Sequence, residues 1–150
     1  MTRFVQFCPM RWSDLDTRGH VADISYLRYL EESRLELIHR LLPRYEAQDL
    51  ASGSVVTRQS MSYLRPLCYR AEPIVVETWV TDMKAAIVRF AHVVRDHAQV
   101  YVEGEADLVP LDLRYGTPRR LSENERTHFG AYRECAVAGS PAASMAKHGG

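Results

Sequence analysis

Long apolar runs are absent from this sequence, and so is an excess of charge of either sign. No run approaches the ~20 apolar residues of a membrane-spanning helix, and nineteen basic residues balance nineteen acidic ones. This balance argues against a protein that binds nucleic acid by neutralising phosphates. The first residues also lack the apolar core and cleavage site of a signal peptide. We therefore expect a cytoplasmic protein with no membrane span and no nucleic-acid partner.

Cysteines and histidines are few and are poorly spaced for a metal site. Cys8, Cys68 and Cys135 form no C-x-x-C pair, and the six histidines show neither H-x-x-x-H nor H-E-x-x-H spacing. An odd number of scattered cysteines is typical of free thiols in a reducing compartment. The sequence therefore predicts no metal, although a nucleophilic cysteine stays possible.

A dense polar loop stands in front of a long amphipathic segment. The loop holds two carboxylates, a glycine and a histidine: Asp14, Asp16, Gly19 and His20. Apolar residues then recur at helical spacing over residues 23–42, with Asp23 as the expected N-cap and Pro43 ending the helix. A helix start presents unpaired N–H groups and partial positive charge, which can polarise a carbonyl beside a carboxylate. This arrangement predicts acyl-transfer chemistry.

The remaining chain has the alternation of strands. We predict strands over 4–10, 54–65, 74–82, 86–96 and 100–113, with short helices over 44–51 and 122–131. Short connections between successive strands indicate antiparallel pairing. The predicted fold is an α+β domain over 1–135, in which a sheet of about five strands wraps one long helix. Its unpaired edges favour an oligomer, and the tail 136–150 is predicted to be disordered.

Two motifs carry a family resemblance. The pattern D-x-D-x-x-G-H-V over 14–21, followed by Y-L-x-Y-L-E-E-x-R over 26–34, resembles the hot-dog-fold thioesterases of the 4-hydroxybenzoyl-CoA thioesterase type. Residues 63–78 resemble the second strand of that family and the turn beyond it, and the likeness covers residue 4 to about 121. The resemblance implies hydrolysis of acyl-CoA or acyl-carrier-protein thioesters, without a cofactor other than the coenzyme A of the substrate. It also implies a homodimer or homotetramer with active sites between subunits.

The resemblance assigns roles to the polar loop. It implies that Asp16 is the catalytic carboxylate and that the polarising N–H belongs to Asp23, where many members have asparagine. We expect Asp14 to be structural, pairing with Arg11 or Arg18, and Gly19 to occupy a φ > 0 turn that lets the backbone approach the substrate. His20 either assists as an acid, orients Asp16, or simply packs in the turn.

Two charged residues lie within the apolar stripe of the predicted helix. Glu31 and Arg34 are spaced i, i+3, so that they can pair with each other. A structural ion pair at a subunit interface is one interpretation. The alternative is that Glu31 faces the acyl pocket as a second base, because some hot-dog thioesterases place a carboxylate on this helix.

Further residues are candidates for holding the substrate. The N–H of Ile24 could join that of Asp23 in binding the oxyanion, and Tyr26 and Tyr63 could line an acyl pocket, although aromatic residues at such spacings are more often core. The phosphates of coenzyme A need cations, and the candidates are Lys84, Arg89, Arg119 and Arg120.

Two other functions stay open at this point. A hot-dog dehydratase or hydratase would use a paired His20 and Asp16, and a non-catalytic acyl-CoA-binding module would retain the fold without turnover. The sequence also leaves open whether Asp16 acts as general base or as nucleophile. The sequence does not identify the acyl group of the substrate.

Overall fold

The computed structural model describes residues 3–134, with the side chains of 45–48 excepted. Its strands are β1 (Phe4–Cys8), β2 (Ser54–Tyr63), β3 (Ile74–Met83), β4 (Val88–Arg95), β5 (Val100–Asp112) and β6 (Thr117–Pro118). Its helices are α1 (Asp23–Leu41), α2 (Arg44–Ser52) and α3 (Glu123–Gly130), and a short 3-10 helix spans Trp12–Asp14.

The strands form one antiparallel sheet. Its order is β1-β3-β4-β5-β2, and the two-residue β6 pairs with β5. Short turns join β3 to β4 and β4 to β5, whereas α1 and α2 connect β1 to β2, which lie at opposite edges. The predicted α+β class, with one long helix against an antiparallel sheet of about five strands, is confirmed.

Helix α1 packs along one face of this sheet. Its buried residues Tyr29 and Leu30 meet Ile74 and Val76 of β3 in one core cluster. Close approach depends on Gly104 in β5, because a Cβ there would lie 3.1 Å from Leu30 Cδ1 and 3.2 Å from a backbone oxygen of β2. A side chain at Gly104 would therefore push the helix away from the sheet.

The C-terminal half of α1 is closed over by the smaller helices. Leu37 and Ile38 share a buried cluster with Leu50 of α2 and Phe129 of α3. Burial of several large side chains stabilises this end of the molecule, at roughly 1.5–3 kcal/mol per side chain. Within residues 3–134, neither α2 nor α3 covers the N-terminal end of α1, and the polar loop lies there instead.

The face of α1 that is buried does not coincide with the apolar stripe that the sequence shows. Ser25 and Ser33 are buried, while Ile24 and Leu27 are exposed. The hydroxyls tolerate burial because each has a partner: Ser25 donates to the Asp14 carbonyl at 2.9 Å, and Ser33 lies 2.6 Å from the Thr78 hydroxyl. Two large apolar side chains are consequently left on the side of the helix that no element of the described chain covers.

Most predicted boundaries agree with the structure to within a few residues. Correction is needed at the start of α1, where Ala22 and not Asp23 occupies the N-cap position, without a side-chain cap. The predicted tail 136–150 lies outside the described residues, and the prediction of one domain over 1–135 remains a prediction.

Candidate active site

Asp14 anchors the polar loop from inside the protein. Its side chain is almost fully buried, and Oδ2 accepts hydrogen bonds from the Tyr29 hydroxyl at 2.6 Å and the Arg11 backbone N–H at 3.0 Å. The Arg11 guanidinium lies 3.6 Å from Oδ1. The Asp14 carbonyl in turn accepts from the Ala22 N–H at 2.9 Å. Asp14 is therefore structural, as predicted, and of the two possible partners it takes Arg11.

Asp16 stands at the half-exposed surface of the same loop. Its Oδ1 accepts the backbone N–H groups of Arg18 at 2.8 Å and His20 at 3.1 Å, while Oδ2 lies 3.8 Å from the Arg18 guanidinium. These two backbone hydrogen bonds lower the pKa of Asp16 below its ordinary value. One carboxylate oxygen is thus fixed in the turn, and the other remains available in the charged form.

The turn geometry explains the glycine and the histidine. Gly19 has φ +79°, in the left-handed region that favours glycine, as predicted. No atom lies within 4 Å of a Cβ built there, so the requirement is conformational and not steric. His20 closes the turn through its backbone, since its carbonyl accepts the Asp16 N–H at 2.7 Å. Its ring makes no hydrogen bond within the described chain, which leaves its side-chain role a prediction.

The first turn of α1 offers free donors. The N–H groups of Asp23 and Ile24 donate to no protein acceptor within residues 3–134. The Asp23 side chain is exposed at the first helical position, where a carboxylate interacts favourably with the helix dipole. Unpaired N–H groups at a helix start can bind a developing oxyanion.

These residues meet in a cavity of about 290 Å³ at the start of α1. Its walls come from the polar loop, from α1 and from the end of β2: Asp16, Arg18, His20, Val21, Asp23, Tyr26, Tyr63, Leu64, Arg65 and Pro66. The rings of Tyr26 and Tyr63 lie 5.6 Å apart. Burial raises the pKa of Tyr26 to about 12, so that its hydroxyl is protonated at neutral pH. Of the predicted site residues, Asp16, His20, Asp23, Tyr26 and Tyr63 are brought together here.

Three other predicted site residues lie outside the cavity wall. Gly19 shapes the turn, Ile24 has an exposed side chain and is not among the wall residues, and Glu31 is exposed further along α1. The predicted Glu31–Arg34 ion pair is wrong for the described chain, because no carboxylate of residues 3–134 lies within 4.0 Å of the buried Arg34 guanidinium. Whether Glu31 takes part in the chemistry remains a prediction.

Arg34 contacts a buried histidine instead. Its Nη1 lies 3.5 Å from Nε2 of His92, whose Nδ1 lies 2.9 Å from the Thr78 hydroxyl. Burial, followed by the charge of Arg34, holds the pKa of His92 well below its ordinary value. Because arginine only donates, neutral His92 accepts at Nε2 and donates from Nδ1 to Thr78. No sequence signal indicates this network, since its members are far apart along the chain.

The four cations predicted for coenzyme A do not line the cavity. Arg119 is paired with Glu125 at 2.7 Å and Arg89 with Asp107 at 2.7 Å. Arg119 also lines a larger cavity, of about 430 Å³, whose wall includes Asp49, Asp112 and Glu125. That wall suits a phosphate poorly because of its carboxylates, and it lies by α2 and α3. The phosphate contacts assigned to Lys84, Arg89, Arg119 and Arg120 therefore remain a prediction without support from the cavity.

The cations that do line the cavity are Arg18 and Arg65. Sequence reasoning missed Arg65 as a wall residue, together with its neighbours Leu64 and Pro66. The signal was present, because these residues belong to the stretch that carries the second part of the family resemblance.

No group of three or more potential metal-ligating residues is found within residues 3–134. In the same part of the chain, no helix is both long enough and apolar enough to cross a membrane.

The fold and the cavity define the class of the protein. Asp16 and the start of the sheet-packed helix line one cavity. The sequence model of the thioesterase-like superfamily matches residues 10–138, and the chain belongs to this superfamily. This match confirms the thioesterase class predicted from the sequence. No curated protein matches the sequence.

Solved structures of a thioesterase, of a predicted thioesterase and of a further protein in complex with CoA share the fold. A thioesterase from Thermus thermophilus, complexed with coenzyme A and Zn, is 26% identical with a TM-score of 0.75, over 89% of this chain and 96% of that one. A predicted thioesterase from Bacillus stearothermophilus is 16% identical with a TM-score of 0.79, over 91% and 100%. A Staphylococcus aureus protein in complex with CoA is 12% identical with a TM-score of 0.81, over 93% and 90%. The predicted hot-dog fold is confirmed.

Proposed function

We propose that this protein hydrolyses acyl-CoA thioesters to a free acid and coenzyme A at the cavity in front of α1. The observation that carries the proposal is the placement of Asp16 on the wall of the cavity that Asp23 of the helix start also lines. The N–H groups of Asp23 and Ile24 have no protein acceptor in the described chain. Coenzyme A bound to the Thermus thermophilus relative supports the choice of thioester. No cofactor beyond the substrate's own coenzyme A is proposed.

Asp16 is the reacting carboxylate in this proposal. Either Oδ2 attacks the thioester carbon to give a mixed anhydride, or it takes a proton from an attacking water. In both routes the C–S bond breaks, the thiolate leaves, and water ends in the carboxylic acid product.

The free N–H groups of the helix start supply the electrostatic stabilisation in the proposed reaction. As the carbonyl carbon becomes tetrahedral, negative charge develops on its oxygen, and donors already fixed at a helix start stabilise that charge without reorganising. The exposed Asp23 carboxylate stands at the same position along the chain as one of these donors. The Asp23 side chain does not cap the helix, and its backbone N–H is therefore free to bind the oxyanion.

A homodimer or homotetramer is part of the proposal. The edge of β2 has no neighbouring strand within residues 3–134. Exposed apolar side chains lie along that edge and on the adjacent side of α1: Val55, Tyr63, Leu64, Ile24 and Leu27. A long unpaired edge with apolar neighbours is a ready surface for another copy of the chain. The oligomer would then cover the open side of the cavity.

A cytoplasmic location is also proposed. Cys8 and Cys68 are free thiols, which is typical of a reducing compartment.

The test is thiol release from a panel of short, long and aromatic acyl-CoA thioesters and from acyl-carrier protein. Steady release establishes the hydrolase and its acyl preference. Addition of water to an enoyl-CoA without thiol release would establish the hydratase instead. Tight binding without either reaction would establish a binding module. The hydratase has weaker support, because the His20 ring forms no hydrogen bond with Asp16 and only its backbone N–H does.

A further inference from the structure

Next to the polar loop, two aromatic rings form a stacked pair at the surface. The rings of Trp12 and Tyr69 lie 3.9 Å apart at an interplanar angle of 18°. Trp12 is 69% exposed, so that the stack leaves most of the indole in contact with water. The second tryptophan of the chain, Trp79, is fully buried. Trp12 is therefore an aromatic surface that the core does not use.

The stack is held rigidly at both of its members. Trp12 begins the short 3-10 helix that ends at the buried Asp14. Tyr69 follows Cys68, which forms a β-bridge with His20, and Leu67, whose carbonyl accepts the Val21 N–H at 2.8 Å. Backbone contacts thus join both members of the stack to the polar loop. A fixed ring loses little conformational entropy when a ligand stacks on it.

A cation stands next to the stack along the chain. Arg11 precedes Trp12, and its side chain is 65% exposed while its Nε lies 3.6 Å from Asp14. That contact restrains one end of the guanidinium without burying it. A flat aromatic face with an exposed guanidinium one residue away along the chain matches a ligand that carries both a purine ring and phosphate groups.

We propose that Trp12, backed by Tyr69, stacks on the adenine of coenzyme A, and that Arg11 binds a phosphate of the same nucleotide. The inference rests on the proposed function, since it takes the substrate to be a CoA thioester. Pro66 of the cavity wall is three residues from Tyr69, a span of at most ~11 Å for an extended chain. The thioester and the adenine of coenzyme A are separated by the pantetheine arm, so that the adenine site is expected apart from the cavity that holds the thioester.

The kinetic test compares acyl-CoA with the same acyl group on pantetheine, which lacks the nucleotide. Trp12→Ala is expected to raise the ratio of KM for acyl-CoA to KM for acyl-pantetheine about 5- to 100-fold, the range for one stacked base. Trp12→Phe should restore most of it. Tyr115→Ala removes an aromatic ring that is 76% exposed on the turn after β5 and should leave the ratio unchanged.

The binding test does not depend on turnover. Calorimetry with adenosine 3′,5′-bisphosphate should show binding that Trp12→Ala weakens by a similar factor and Arg11→Gln weakens in a salt-dependent manner. Quenching of the exposed tryptophan by this nucleotide, and not by phosphopantetheine, should accompany binding. If the nucleotide binds but no thioester is cleaved, the proposed function fails and the adenine site stands.

Two outcomes overturn the adenine site. The first is that the protein hydrolyses acyl-pantetheine but Trp12→Ala leaves the ratio of the two KM values unchanged. The other is a change of oligomer size in Trp12→Ala by light scattering, which would assign the exposed ring to a subunit interface.

Discussion

The Tyr29 hydroxyl donates a 2.6 Å hydrogen bond to Asp14, and this contact joins the polar loop to α1. The helix that supplies the free N–H groups is thereby fixed to the loop that carries Asp16. Asp14 and Asp16 are two residues apart, yet one is buried in structural bonds and the other is half exposed on the cavity wall. In the proposed mechanism Asp14 positions the loop and Asp16 carries the chemistry.

Asp16→Asn should lower kcat about 10²–10⁴-fold in a thiol-release assay. Asparagine retains an oxygen that can accept the Arg18 and His20 N–H groups, so that the turn and the melting temperature should be preserved. The matched control is Asp112→Asn, because Asp112 also accepts a backbone N–H in an exposed turn, from Arg114. Full activity of Asp16→Asn would remove Asp16 from the chemistry.

Tyr29→Phe should destabilise the protein by about 1–3 kcal/mol, because it removes a donor from a buried carboxylate. Denaturant unfolding measures this change. Loosening of the loop should also lower kcat, but by less than Asp16→Asn does. Tyr115→Phe, at an exposed ring, serves as the control and should change neither quantity. An unchanged stability of Tyr29→Phe would show that Asp14 finds its donors elsewhere.

The acid side of the pH–rate profile should be flat from neutral pH down to about pH 5. The pKa of Asp16 lies below its ordinary value of 3.8, so that the carboxylate stays ionised over this range. If His20 acted as the base, the acid side of the profile would fall instead of staying flat. An acyl-pantetheine substrate is the correct probe, because it carries no phosphate that titrates near pH 6. A fall on the acid side that His20→Gln abolished would transfer the role to histidine.

The sequence was most informative where periodicity and a motif coincided. The 3.6-residue spacing placed α1 at 23–42, within one residue of its observed end, and the motif placed Asp16 beside the helix start. The rotation of α1 about its axis could not be predicted in this way. That rotation is decided by hydrogen-bond partners on distant strands, such as Thr78 for Ser33. The ion pair predicted for Glu31 and Arg34 failed for this reason.

Arg34→Met should not destabilise the protein, and it is expected to raise the melting temperature. Arg34 is 5% exposed and faces neutral His92, and Glu31 attracts its charge only from beyond the 4.0 Å of an ion pair. Burial of a charge without a direct partner costs several kcal/mol, whereas the long contact to His92 contributes at most about 1 kcal/mol. A loss of about 3 kcal/mol or more would mean that a carboxylate of another subunit pairs with Arg34.

The companion variant is Glu31→Gln, which separates a structural role of this carboxylate from a chemical one. Its melting temperature should be close to that of the unchanged protein, because Glu31 is exposed. Its kcat should also be unchanged, since Glu31 is not part of the cavity wall. Glu36→Gln, on the same helix, is the control for the loss of one acidic charge. A normal melting temperature with lost turnover would show that Glu31 serves the chemistry.

The stability of the protein should fall as the pH drops through about 6.5, because His92 stays neutral in the folded state and takes up a proton on unfolding. The folded pKa of His92 is lowered, so that its contribution is fully present above the unfolded pKa and is lost as the pH falls toward the folded one. The expected slope is about 1.4 kcal/mol per pH unit for one proton. His92→Asn should remove this slope while its amide retains polar contacts with Arg34 and Thr78. Urea unfolding at several pH values measures both proteins, and equal slopes would show that the proton is taken up elsewhere.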